Sequence, residues 1–147
     1  MNPFLLPLST LIQHWKDFRN DLKSFDEMKQ LEKVAEFWGN APLSTYAYDP
    51  EALDTYETAW EMMHSNDWCA NSVAVGMEFT LRLGGWHPDQ LTILYVKDND
   101  ESIQRLVLEI EGKYWLNYDH GVVSLIPKTN FVVTDRWKFV GKNYKRI

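Results

Sequence analysis

The hydrophobic pattern of this chain changes period once, at Gly84-Gly85, and that change limits the fold more than any other feature. Before the two glycines, apolar residues recur at the three-to-four-residue spacing of helices; after them they alternate as in half-buried strands. Helices followed by strands predict an α+β architecture, with N-terminal helices and a central Cys-bearing helix packed on an antiparallel β-sheet. A first helix is expected through Leu8, Leu11, Ile12, Trp15 and Phe18. A second opens at Ser24-Phe25-Asp26-Glu27, carries Met28, Leu31, Val34, Ala35 and Trp38 on one side, and stops at Gly39-Asn40. Residues 40–50 read as a loop, and 51–63 as a short helical stretch. Ala70, Ala74, Met77 and Leu81 then follow Cys69 at helical spacing. Beyond the glycines, strands are expected at 91–96, 105–110, 114–118, 122–126, 131–133 and 137–140, joined as a meander, with a turn at Asp98-Asn99-Asp100 and a hairpin around Glu111-Gly112.

With 147 residues the chain reads as one domain, 1–147, able to bury roughly two thirds of its unfolded surface. A net charge of −6 opposes binding to a nucleic-acid backbone. In the basic tail, Lys138, Lys142, Lys145 and Arg146 interleave with Phe139 and Tyr144, and the segment reads as a solvated strand. A single cysteine excludes an internal disulfide, and no His-x-x-x-His or Cys-x-x-Cys spacing exists, so neither a metal nor a cofactor is expected. The apolar N-terminus is broken by Pro3 and Pro7 and lacks a basic leader, which predicts no signal peptide, no membrane span and a cytoplasmic location.

Cys69 follows a turn-like stretch, Ser65-Asn66-Asp67-Trp68, and stands where a helix would begin. Unpaired N–H groups and the positive dipole end at such a position favour thiolate over thiol, as a nucleophile requires; the plainer alternative is a small buried hydrophobe. The surrounding segments carry a resemblance. Residues 25–34 with Phe37-Trp38 and 46–49, then Cys69 with Ala74, the 81–84 helix end and the 91–96 strand are one part of it. Arg105-Leu106-Val107-Leu108, residues 115–119, Ile126-Pro127 and Trp137-Lys138-Phe139 are the other. Over most of its length the chain resembles the bacterial transglutaminase-like cysteine proteinase family, many of whose small members occur in phage and bacterial genomes.

The resemblance implies a Cys-His-Asp triad in which histidine moves the proton and aspartate orients it. Cys69 matches the nucleophile and Asp119 the aspartate, but Arg105 stands at the histidine position. A guanidinium with a pKa above about 12 cannot shuttle protons near neutral pH. It could supply a fixed charge beside the thiol, with an Arg105–Asp119 ion pair where the imidazole would sit. Family members also carry acidic residues around the cysteine, which in some bind calcium; here Trp68 and Ala70 replace them.

Hairpin parity decides what faces Asp119. A three-residue turn with a bulge puts Arg105 on the face of Asp119 and groups Leu106, Leu108 and Ile110 with Tyr114, Leu116 and Tyr118; a two-residue turn would bring His120 to the face of Arg105. The bulged register gives the cleaner apolar face. A cleft between the Cys69 helix and the hairpin is then expected, with Trp68, Asn71, Gln104 and Trp115 as binding residues, although indoles at this spacing also suit a core. The expected function is a catalytically impaired homologue that binds a protein or peptide. Its rivals are an active thiol hydrolase or peptidase in which Cys69 attacks and His120, His64 or a water supplies acid–base function, and a structural module, virion-associated if phage-encoded.

Overall fold

A computed structural model describes residues 2–45 and 47–147. Tyr46, within one segment of the family resemblance, and Met1 lie outside the described residues.

Among the described residues four α-helices come first: α1 (Leu8–Asp21), α2 (Glu27–Gly39), α3 (Ala59–Ser65) and α4 (Ser72–Leu83). Local chemistry sets their starts. The Asp26 side chain accepts the Lys29 N–H at 2.8 Å and opens α2. Thr58 and Glu61 form a reciprocal capping box that starts α3, so the helical stretch expected over 51–63 is instead a 3₁₀ turn, Leu53–Thr55, followed by a separate helix. Asn66, left-handed at φ 50°, ends α3.

Helix α4 is apolar nearly all round, with ten residues from Ser72 to Leu81 buried, as befits a helix enclosed between α2 and the sheet. Gly76 makes that enclosure possible, because a Cβ there would lie 2.5 Å from the Trp38 ring. The Thr80 hydroxyl accepts both indole N–H groups that meet it, from Trp38 at 2.9 Å and from Trp15 at 3.0 Å. One short polar side chain thus satisfies two buried donors.

The strands β1 (Leu91–Asp98), β2 (Ile103–Ile110), β3 (Tyr114–Leu116), β4 (Ser124–Leu125), β5 (Phe131–Val140) and β6 (Asn143–Arg146) form one antiparallel sheet in the order β4-β3-β2-β1-β5-β6. The sheet is not a simple meander, since β5 returns across the molecule to pair with β1. The strands expected at 131–133 and 137–140 are one strand, bent where the register shifts opposite Tyr95 and Val96. The basic tail read as one solvated strand is divided at Gly141, φ 67°, into the end of β5 and its hairpin partner β6, whose Tyr144 is buried.

Alternation along the strands builds two cores. Leu91, Ile93, Leu106, Leu108, Ile110 and Leu116 face the helices. Leu94, Val96, Val107, Trp115 and Tyr118 form a smaller cluster on the other face. Beneath that second cluster the buried Asp98 carboxylate accepts hydrogen bonds from the Tyr118 hydroxyl at 2.8 Å, from Thr129, and from the N–H groups of Asp100 and Glu101. On the helical side, buried Glu78 of α4 takes a two-pronged bond from Arg82, at 2.9 and 3.0 Å, and a 2.7 Å bond from the Tyr144 hydroxyl of β6.

Candidate functional site

Cys69 lies three residues ahead of α4 and not in its first turn, since the helix begins at Ser72. It nonetheless acts as a cap. Its sulfur accepts the Ser72 N–H at 3.3 Å while its own N–H donates to the Ser72 hydroxyl at 2.9 Å, a reciprocal pair like a capping box. A second backbone donor, the Tyr48 N–H, reaches Sγ at 3.4 Å. Two N–H dipoles therefore point at a sulfur whose residue is only 2% exposed. Such donors stabilise negative charge wherever it develops.

The Cys69 turn is held to the sheet by two asparagines. Asn71, 5% exposed, accepts the Leu106 N–H at 3.0 Å and donates to the Tyr48 carbonyl at 3.0 Å. Asn117 donates to the Ala70 carbonyl at 2.6 Å and to the Leu106 carbonyl at 2.8 Å. The backbone groups of Leu106 that β3 would have paired are thus taken by side chains. Asn71 clamps the turn, which is a different task from the binding role expected of it. Asn117 escaped sequence reasoning altogether. The signal was its residue type, because asparagine tolerates the left-handed region better than most residues, and Asn117 sits at φ 69°.

That one backbone conformation alters the expected triad. The turn after β2 has three residues, as the bulged register requires, with Ile110 opposite Tyr114 and Leu108 opposite Leu116. Pairing then stops, and Tyr118 joins the face of Trp115 instead of that of Leu116. Arg105 lies opposite Val96, on the face of Val107 and Trp115 and away from the helices. Its guanidinium reaches the Tyr118 carbonyl at 3.5 Å, and its Nε is buried without a partner. Asp119 is exposed and accepts from the Ser124 hydroxyl at 3.2 Å. Among the described residues no ion pair joins Arg105 to Asp119.

The other expected site residues are also dispersed. Trp68 is fully buried and packs on Trp38 with ring centroids 4.8 Å apart, so it belongs to the helical core and does not wall a cleft. Trp115, 1% exposed, is buried on the opposite face of the sheet, edge-on to Phe131. Gln104 is exposed at the start of β2. His120 stands beside Gly39, at the end of α2, with Nε2 3.8 Å from where a Gly39 Cβ would be. His64 is exposed on α3. Among the described residues no hydrogen bond joins any histidine to Cys69.

Tyr48, whose N–H bonds to the sulfur, also lines a hollow of about 290 Å³ with Asp49, Ala52, Thr55, Tyr56 and Glu57. Burial, with further contributions from negative charge on Cys69, Asp49 and Tyr48, pushes the Tyr56 phenol well above its usual range. Its hydroxyl donates to the Asp49 carbonyl at 2.9 Å. It is a neutral donor at physiological pH and no base.

With this geometry in place, the likeness to known proteins is informative. The backbone superposes on Legionella pneumophila LapG with a TM-score of 0.68 at 21% sequence identity, covering 89% of this chain and 75% of that one. The calcium-bound form of the same protein matches at 0.68 and 20% identity, covering 89% and 75%, and the EGTA-treated form at 0.67 and 21%, covering 89% and 73%. The chain has the transglutaminase-like cysteine peptidase fold. At this identity the likeness establishes the fold alone. No protein-family model and no curated protein matches the chain. Trp68 and Ala70 offer no carboxylate beside Cys69. Among the described residues no group of three or more His, Cys, Asp or Glu is placed to hold a metal ion. Among the described residues no helix is long and apolar enough to cross a membrane.

Proposed function

We propose that this chain is a non-cleaving member of the transglutaminase-like cysteine peptidase fold that serves by binding protein. One observation carries the reading: the Cys69 sulfur is buried, it is satisfied by two backbone amides, and no imidazole bonds to it among the described residues. Amide cleavage by a thiol needs a group that takes its proton and returns it to the leaving nitrogen, a contribution of about 100- to 10,000-fold. Arg105 cannot exchange a proton near neutral pH and lies on the wrong face of β2. Tyr56 is held neutral and already donates its proton to a carbonyl.

A second reading has its own support, because two N–H groups aimed at sulfur are what a thiolate nucleophile would use. One experiment separates the two. Incubation with casein and a pooled peptide library, with new termini read by mass spectrometry, is expected to give no cleavage above that of Cys69→Ser. Cleavage by the wild type that is lost in Cys69→Ser would overturn the proposal. Arg105→His is expected to add no activity, since the new imidazole would point away from the helical side; a gain of turnover would show that the thiol and residue 105 meet.

A further inference from the structure

A second concavity lies between α2 and the β4 edge of the sheet. It encloses about 600 Å³ and is lined by Met28, Glu32 and Glu36 from α2 and by Tyr114, Val122 and Leu125 from the sheet side. Three features mark it out. Leu125 is 71% exposed and Val122 49%, so two aliphatic side chains stand in water at the rim of an apolar hollow. Strand β4 ends the sheet order. Its ladder is phased so that Ser124 and Ile126 bond to β3, the latter through its N–H to the Lys113 carbonyl at 3.3 Å, which turns the N–H and C=O of Leu125 outward.

The third feature is charge. Glu32 and Glu36 stand one turn apart on the exposed side of α2. Glu32 has a single exposed lysine partner, Lys29 at 3.7 Å, and Glu36 makes no ion pair among the described residues. An edge with outward backbone groups, an apolar floor and an acidic wall complements a particular ligand: an extended segment whose helix-facing side chains alternate between aliphatic and basic. We propose that this groove binds such a basic, apolar segment of a partner protein as a strand added to β4. The inference rests on the reading of the chain as a protein-binding module, and it names a surface separate from the hollow beside Tyr48 and Tyr56.

The test uses the full chain, ¹⁵N-labelled, titrated with the blocked peptide Val-Thr-Lys-Thr-Val-Thr-Lys-Thr and with its twin carrying Glu for Lys. Amide shifts confined to 121–126, Tyr114 and α2, with slowed hydrogen exchange at Leu125, are expected for the Lys peptide only. Binding should weaken at least tenfold in Glu32→Lys/Glu36→Lys and in Glu32→Gln/Glu36→Gln, whose exposed positions leave the thermal midpoint in place. No shifts at millimolar peptide, equal binding of the Glu peptide, shifts mapped elsewhere, or self-association of the chain through Leu125 would each overturn the proposal. Peptidase activity dependent on Cys69 would overturn the non-cleaving reading while leaving the titration result standing, so the two failures are distinguishable.

Discussion

At the scale of single residues, the site is organised by asparagines more than by its cysteine. Asn117 does two things that are separable by substitution: it bonds two carbonyls across a gap between the Cys69 turn and β2, and it occupies a left-handed conformation. Asn117→Ala leaves both carbonyls without that donor and strains the backbone, whereas Asn117→Gly relieves the strain and loses only the bonds. The Ala variant is expected to lose about 2–4 kcal/mol of stability and the Gly variant about 1–3, measured by urea denaturation. In both, alkylation of Cys69 by iodoacetamide should accelerate, because the turn that seals the thiol is no longer tied down. Unchanged alkylation would mean that Asn117 does not hold that turn. The expected Arg105–Asp119 ion pair is absent among the described residues for the same local reason, since parity carries the two together only while the ladder continues past Leu116.

Elements fared better where one short-range signal governed them. Helix α2 was readable because Asp26, the apolar positions through Trp38 and Gly39-Asn40 all agree with helical geometry. Helix α4 was readable as a helix, but its start was misplaced by three residues, because Ala70 continues the apolar spacing while Cys69 and Ser72 make the cap. Gly76, a residue type that weakens a helix interior, is where α4 leaves no room for a Cβ against the Trp38 ring. Adding a methyl group there gains helix propensity of about 1 kcal/mol but forces Trp38, whose indole is bonded to Thr80, out of place. Gly76→Ala is expected to destabilise by about 1–3 kcal/mol net, lowering the thermal midpoint by several degrees. A neutral or raised midpoint would show that the Trp38 pocket yields.

Over the whole molecule, the second core and the loop that covers it depend on one carboxylate. The Thr129 hydroxyl, the Tyr118 hydroxyl and two backbone N–H groups hold Asp98 below the usual carboxylate range, while burial and Asp98 itself push the Tyr118 phenol up to about 12. A depressed acid stabilises the fold above its unfolded value of about 3.9, and that contribution is lost as pH falls below it. A raised phenol stabilises below its unfolded value of about 10, and its contribution is lost as pH climbs from there to about 12. Urea midpoints should therefore fall at both ends of the pH scale. Asp98→Asn is expected to flatten the acid limb and Tyr118→Phe the alkaline one; parallel profiles in the variants would remove the network from the explanation. The sequence by itself determined the class of the fold, helices before strands, the three-residue turn and the position of the thiol near a helix start, because periodicity and turn chemistry act over a few residues. Which side chains surround that thiol was decided only in three dimensions. It depends on the Tyr48 N–H, which reaches the sulfur from another loop, and on the Asn117 side chain, which ties the Cys69 turn to β2 from beyond β3, and neither interaction is contained in any local window.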